Sequence, residues 1–126
     1  MEFVALVTLL IVGQYTVLIG LCGKARAASG IKAPAVTGDE MFERAYRVQM
    51  NTLEQMAVAL PAMWVCGMYF SSTLAGCMGL AFFVGRILYQ MSYVKDPATR
   101  GTGMIIGFLA SIVMLLTGLW GVATSF

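Results

Sequence analysis

Five polar residues that can bind a charged ligand lie in the segment from Phe42 to Gln55, FERAYRVQMNTLEQ. In a helix, their spacing confines them to an arc of about 100°. Guanidinium groups bind carboxylates in a bidentate manner, and a carboxylate accepts hydrogen bonds from an ammonium group. The spacing therefore predicts one polar helix face that binds a ligand or a partner. The residues of this face are Arg44, Arg47, Asn51, Glu54 and Gln55.

The chain around this polar face is strongly apolar. Of its 126 residues, 60% are hydrophobic and 11% charged, whereas soluble domains average about 25% charged residues. The apolar residues form long blocks, which predicts an integral membrane protein. A charge at membrane depth costs about 2.5 to 3.5 kcal/mol, so such groups face a bundle interior, pair, or line a pathway. The alternative to a binding site is a buried ion network of Arg47, Glu43 and Glu54 that only fixes helix register.

A second polar face follows in the third apolar block, where Arg86, Tyr89, Gln90 and Tyr93 recur at helical spacing. Arg100 lies in the connection after it. The tyrosines suit either a ligand cavity or the aromatic belt at a membrane surface. Arg86 suits either a ligand contact or a structural pair with an acid or a backbone carbonyl. Together the two polar faces predict a basic pocket for a small anion, with a hydrophobic second ligand arriving from the lipid.

Other classes of function are disfavoured by composition. The net charge of +2 is too small to indicate a nucleic-acid-binding protein. The chain has no histidine, and Cys22, Cys66 and Cys77 form no CxxC pair. We therefore expect no metal site and no disulfide framework.

The apolar blocks predict a single membrane domain, residues 1–126, of all-α class. It is a four-transmembrane-helix bundle with helices at about 3–21, 40–70, 74–93 and 104–123. The first helix is expected to end at Cys22-Gly23-Lys24 and to be retained rather than cleaved as a signal peptide. The only long loop then runs from Lys24 to Glu40.

All eight basic residues lie near the same two connections of such a bundle. The positive-inside rule places those connections in the cytoplasm. The site would then face the cytosol, and both termini would lie on the opposite side of the membrane. A small transporter subunit is disfavoured, because its polar groups would lie at the membrane midplane rather than at one end.

The segment FERAYRVQMNTLEQ, with its core Arg47-x-x-x-Asn51-x-x-Glu54, closely resembles the membrane-associated proteins in eicosanoid and glutathione metabolism. This family contains microsomal glutathione transferases, leukotriene C4 synthase and bacterial relatives. The resemblance covers the whole chain, from Arg26 through this segment to Arg86, Tyr89, Tyr93 and Arg100. It implies a homotrimer that binds glutathione between protomers. It implies Arg100 as the catalytic thiol activator. The glutathione-binding residues it implies are Arg26, Arg47, Gln49, Asn51, Glu54, Tyr89 and Tyr93.

The resemblance implies a membrane-bound glutathione transferase with glutathione as co-substrate, without a metal. An arginine-stabilised thiolate would attack a hydrophobic electrophile or reduce a lipid hydroperoxide. Gln55 and Leu88 stand where leukotriene C4 synthase has tyrosine and arginine, which favours a broad-specificity bacterial enzyme of the inner membrane, or of the endoplasmic reticulum in a eukaryote. The alternative is a non-catalytic lipid-binding or scaffold member, which can dispense with Arg100.

Overall fold

The computed structural model describes residues 1–126 and contains four long helices and no strand. A 3₁₀ turn at Pro97–Thr99 joins the last two helices. The second and third helices each pack against the other three, whereas the first and fourth pack against this central pair. The all-helical prediction is therefore confirmed. The helices are α1 (Glu2–Ser29), α2 (Glu40–Tyr69), α3 (Ser72–Lys95) and α4 (Gly101–Ala123).

Three of the helices, α1, α3 and α4, are long and apolar enough to cross a membrane. The helix α2 has 30 residues, a length of about 45 Å at the usual helical rise. Its first half carries the polar face, and its second half is apolar and contributes Ala59, Met63 and Cys66 to the core. Pro61 lies inside this apolar half without interrupting the helix.

The end of α1 was predicted wrongly. The helix continues past Cys22-Gly23-Lys24 and ends at Ser29, and Gly30 then adopts the left-handed conformation with φ 75°. The residues after Gly23 are mostly alanine, lysine and arginine, which are strong helix formers, so one glycine does not end the helix. The connection to α2 is therefore shorter than expected, and Arg26 lies on a helix rather than in a loop.

The hydrophobic core lies where the four helices meet and includes Val7, Met63, Phe82 and Met114, all fully buried. Polar bonds also join the helices: Trp64 Nε1 donates to Thr8 Oγ1 at 2.9 Å, and Gln14 Nε2 donates to the carbonyl of Phe83 at 3.0 Å. Large apolar residues remain exposed on the outer surface of α1 and α4. In a bilayer those surfaces are solvated by lipid chains.

Glycines bring α3 and α4 into close contact near the charged end of the bundle. A Cβ atom at Gly85 would lie 2.9 Å from the amide nitrogen of Gly107. A Cβ atom at Gly103 would collide with the backbone of both Tyr89 and Gly85. Only glycine allows this approach, as is common where membrane helices pack tightly. This close α3–α4 contact at Gly85 and Gly103, here called the seam, holds the start of α4 against the turn of α3 that carries Tyr89. Arg100 directly precedes that start.

Candidate functional site

The polar face of α2 carries an ion pair between two of the predicted ligand residues. Arg47 Nη1 lies 3.3 Å from Glu54 Oε1, and the side chains are 51% and 55% exposed. Glu43 is not part of this pair, because its carboxylate accepts from the backbone N–H of Gly38 at 3.2 Å. The buried network of three charges proposed as the alternative is therefore wrong. An exposed pair of this kind contributes at most about 1 kcal/mol and leaves both groups available to a ligand.

Arg44, on the same face, has a structural role. Its Nη1 donates to the carbonyls of Val94 at 3.0 Å and Lys95 at 3.2 Å, and its Nη2 pairs with Glu40. The two carbonyls belong to the last turn of α3, which has no following turn to satisfy them. A guanidinium there is also favoured by the helix dipole. Arg44 thus fixes the end of α3 to α2 and sets the width of the cleft between them.

Arg86 is the largest fully buried side chain, with 2% exposure. Its Nη2 donates to Asn51 Oδ1 at 2.9 Å and to Thr52 Oγ1 at 2.8 Å, and its guanidinium carbon lies 4.1 Å from the centre of the Tyr89 ring. Neither an acid nor a backbone carbonyl accepts from it. The predicted structural alternative, a pair with an acid or a backbone carbonyl, is therefore wrong. Arg86 instead contacts two of the predicted ligand residues, Asn51 and Tyr89.

The two tyrosines of α3 stack on each other, with ring centres 5.4 Å apart and planes inclined by 28°. Tyr89 is 2% exposed, and Tyr93 is half-buried. Neither lies on the outer lipid-facing surface where aromatic belt residues are found. Arg100 is exposed, and its Nη1 donates to the carbonyl of Pro97 at 2.8 Å.

A polar cleft of about 450 Å³ opens between the start of α2 and the end of α3. This volume lies within the usual range of small-molecule sites. Both signs of charge line the cleft, with aromatic side chains beside them. Of the predicted site residues, the wall includes Arg47 and Tyr93. Arg100 is not part of the wall, but its Nη1 donates to the carbonyl of Pro97, which is part of it. The wall consists of Val36, Glu40, Glu43, Arg44, Tyr46, Arg47, Tyr93 and Pro97.

Two predicted ligands lie at the interface of α1 and α2, Arg26 on α1 and Gln49 on another face of α2. Gln49 Nε2 donates to Tyr15 Oη at 3.4 Å, and the Arg26 guanidinium carbon lies 4.5 Å from the centre of the Phe42 ring. Gln49 follows Arg47 by two residues and is therefore about 200° away around the helix. Within one chain, Arg26 contacts the Phe42 ring and the carbonyl of Ala35 rather than the α2–α3 residues. The predicted set divides into an α2–α3 half and an α1–α2 half.

Three contacts of the predicted residues were missed by sequence reasoning. Thr52 bonds Arg86, Tyr15 bonds Gln49, and Phe42 lies beneath Arg26. Each is a partner across a helix interface, and Thr52 is completely buried. Only the position of Phe42 could have been inferred from the sequence. It lies seven residues before Gln49 and so about 20° from it around the helix, on the same face.

The chain is similar to known proteins over nearly its whole length. Residues 4–120 match the model of the MAPEG family. The chain is 42% identical over 120 residues to an uncharacterized protein of Synechocystis sp., covering 92% of this chain and 88% of that protein. It is 39% identical over 106 residues to human microsomal glutathione S-transferase 2, covering 82% and 71% of the two chains. It is 35% identical over 77 residues to leukotriene C4 synthase of Cavia porcellus, covering 61% and 51%.

Proposed function

The chain belongs to the MAPEG family, and on that premise we propose that it is a membrane-bound glutathione transferase that conjugates glutathione to hydrophobic electrophiles. The resemblance predicted from the sequence is confirmed, and the cyanobacterial relative agrees with a bacterial member. Relatives named glutathione S-transferase and leukotriene C4 synthase support a glutathione-conjugating membrane protein. The inner membrane of a bacterium is the proposed location, with the polar cleft toward the cytosol.

The polar face of α2 supports glutathione as the co-substrate. Glutathione carries two carboxylates, one ammonium group and one thiol. Arg47 can bind a carboxylate, Glu54 can accept from the ammonium group, and Asn51 can donate through its side-chain amide. The ion pair between Arg47 and Glu54 spans 3.3 Å. The γ-glutamyl end of glutathione carries both an ammonium group and a carboxylate. It can replace such an ion pair at little cost in free energy, because Arg47 and Glu54 each gain a new partner as they lose the old one.

The division of the predicted ligands between the α2–α3 and α1–α2 interfaces is the main support for the proposed assembly. Arg47, Asn51 and Glu54 contact one another or α3, whereas Gln49 and Arg26 contact α1 and the other face of α2. In this conformation, a single chain does not direct both sets at one glutathione. We therefore infer that the site is completed by a neighbouring copy, in the homotrimer that the family resemblance implies, with α2 as a fourth membrane crossing and both termini opposite the cytosol.

In the proposed mechanism, Arg100 favours the thiolate form of bound glutathione. A free thiol has a pKa of about 8.5, so only a few per cent is ionised at neutral pH. Lowering that pKa by two units requires about 2.7 kcal/mol, which a partly desolvated guanidinium can supply. The thiolate attacks an electrophilic carbon, a C–S bond forms and the leaving group departs with its electron pair. The tyrosines enclose the thiol and offer hydroxyl donors.

The same thiolate supports a second activity, the reduction of lipid hydroperoxides. The sulfur attacks the outer peroxide oxygen, the O–O bond breaks and the lipid alcohol leaves, so that glutathione becomes a sulfenic acid. A second glutathione then displaces water from it and forms the disulfide. Each turnover would thus oxidise two molecules of glutathione and reduce one hydroperoxide.

Turnover of an activated aryl halide by the purified protein in detergent tests the proposed function. We expect formation of the glutathione conjugate that saturates with glutathione. The non-catalytic scaffold alternative predicts lipid binding without any conjugate, whether or not glutathione binds. Absence of both glutathione binding and turnover would exclude the transferase altogether.

A further inference from the structure

Arg86 is a buried cation whose contacts within the chain are all uncharged. Its exposure is 2%, and its contacts are the side chains of Asn51, Thr52 and Tyr89. It lies nine residues before the end of α3 at Lys95, so its backbone is about 13 Å from that end. Buried cations usually face a carboxylate, because neutral oxygens compensate lost hydration only in part. Helix packing alone does not account for a charge in this position.

The geometry of this contact decides the orientation of the Asn51 amide. A guanidinium only donates hydrogen bonds, so the Asn51 atom 2.9 Å from Arg86 Nη2 must be the oxygen. The amide NH₂ group is then directed away from Arg86, and Asn51 is only partly buried. A bound ligand therefore meets a donor at this position. The second N–H of Nη2 is held by Thr52 at 2.8 Å, which prevents the guanidinium from rotating.

The far side of the guanidinium is fixed as well. Its carbon lies 4.1 Å from the centre of the Tyr89 ring, and Tyr93 stacks on Tyr89. The Nε atom is fully buried without a hydrogen-bond partner. The position is therefore maintained by the ring and by the two Nη2 bonds, and the contacts run from Tyr89 through Arg86 to Asn51.

We propose that Arg86 is a positioning residue that presents the Asn51 amide as a hydrogen-bond donor to a carboxylate or carbonyl oxygen of glutathione. The inference rests on the proposed function, since glutathione is the ligand. Arg86 itself does not touch the ligand. It acts by preventing the amide of Asn51 from flipping. In the flipped orientation the amide oxygen would face an anionic group of the ligand and repel it.

The test uses full-length protein in detergent and measures glutathione binding by calorimetry and KM by conjugation. Arg86→Met removes the donor but keeps an unbranched side chain of similar length. We expect KM and Kd for glutathione to rise about tenfold, as for one lost charge-assisted or oriented hydrogen bond. Asn51→Asp keeps the acceptor for Arg86 but removes the NH₂ donor, so we expect the same loss of binding with an unchanged or higher thermal midpoint. Thr8→Val, which removes a distant interhelical bond to Trp64, is the control and should keep KM.

A double-mutant cycle separates positioning from a general structural effect. If Arg86 acts through Asn51, then Arg86→Met combined with Asn51→Ala should bind glutathione no more weakly than Asn51→Ala alone. Independent, multiplying losses would overturn the proposal, and so would wild-type affinity in Arg86→Met. If Arg86→Met does not fold, Arg86→Gln replaces it with the same expected loss, because its amide can accept as well as donate and so does not fix the orientation of Asn51. A wild-type protein that does not bind glutathione would instead refute the proposed function, and this inference with it.

Discussion

Arg47 and Glu54 lie two turns apart on α2 and join across the helix surface, with Nη1 and Oε1 3.3 Å apart. Both side chains are about half exposed, so solvent screens the pair and its contribution to stability is at most about 1 kcal/mol. The pair is therefore weak enough to open. A ligand that carries an ammonium group and a carboxylate side by side matches both of its charges.

Alanine at Arg47 or Glu54 should raise the KM for glutathione about tenfold while the thermal midpoint changes little, because one charge-assisted contact to the ligand is lost. Steady-state kinetics at varied glutathione concentration measures this. The exchange variant Arg47→Glu with Glu54→Arg restores an ion pair but reverses both charges, and it should remain defective. Recovery of wild-type KM in that variant would show that the pair serves only the helix.

Arg100→Ala should lower the turnover number at neutral pH about tenfold and leave glutathione binding nearly intact. In the proposed mechanism the arginine lowers the pKa of the bound thiol, so the thiolate is present above that lowered pKa. Without it the thiol returns to a pKa of about 8.5, and the variant should regain activity as the pH rises toward 9. The loss is smaller than the fall in thiolate fraction, because a more basic thiolate is a better nucleophile.

The measurement is the pH dependence of turnover, together with the ultraviolet absorbance of thiolate when protein and glutathione are mixed. Lys95→Ala is the matched control, since Lys95 is another exposed base at the same end and its side chain makes no hydrogen bond or ion pair; its backbone carbonyl accepts from Arg44. A pH profile of Arg100→Ala identical to that of the wild type would refute the proposed role of Arg100.

Arg44→Gln should lower the free energy of unfolding by about 1 to 2 kcal/mol, because the last carbonyls of α3 lose a charged donor. The contacts are those to Val94 and Lys95 at 3.0 and 3.2 Å. Chemical or thermal unfolding in detergent measures the change. Glu40→Gln weakens the exposed ion pair with Arg44 but leaves both backbone bonds, and it should cost less than about 1 kcal/mol. Equal losses in the two variants would contradict the capping role.

Gly103→Ala should destabilise the bundle by about 1 to 3 kcal/mol, because its added methyl group collides with the backbone of Tyr89 and Gly85. Moving α4 away also moves Arg100, so turnover should fall with stability. Gly101→Ala is the control, since a Cβ atom there meets nothing within 4 Å. It should keep the stability or raise it slightly, through lower entropy of the unfolded chain. A stable, fully active Gly103→Ala would show that the seam is loose.

The polar face of α2 was predictable because it belongs to a single helix, where spacing alone decides which side chains are neighbours. The end of a helix was less predictable, because it depends on the balance between helix-breaking and helix-forming residues. The sequence predicts the end of α1 at Cys22-Gly23-Lys24, yet the following alanines and basic residues continue the helix to Ser29. A hydropathy pattern detects where a helix leaves the apolar region, and it does not detect where the helix itself ends.

Contacts between helices were the least predictable part. Arg86 bonds Asn51 and Thr52, which lie 35 and 34 residues away in the chain. Such pairing depends on how the helices rotate about their axes, which their packing decides and sequence periodicity does not. Gln49 and Arg47 are two residues apart, and helical geometry alone separates them widely. The family resemblance groups them as ligands of one molecule, and in the proposed assembly a second chain supplies the missing half.

Mixed oligomers test directly whether two chains form one glutathione site. One chain carries Arg47→Ala with Glu54→Ala, and the other carries Arg26→Ala with Gln49→Ala, so each lacks one half of the proposed site. Either chain alone should be nearly inactive. Expressed together, they should regain conjugation activity, because some contacts between chains then join two intact halves. As a control, chains with Arg47→Ala and with Glu54→Ala, whose defects share one half, should only give the average of their separate activities. A lack of recovery in verified mixed oligomers would mean that each site is built within one chain, which would require α1 and α2 to rearrange when glutathione binds.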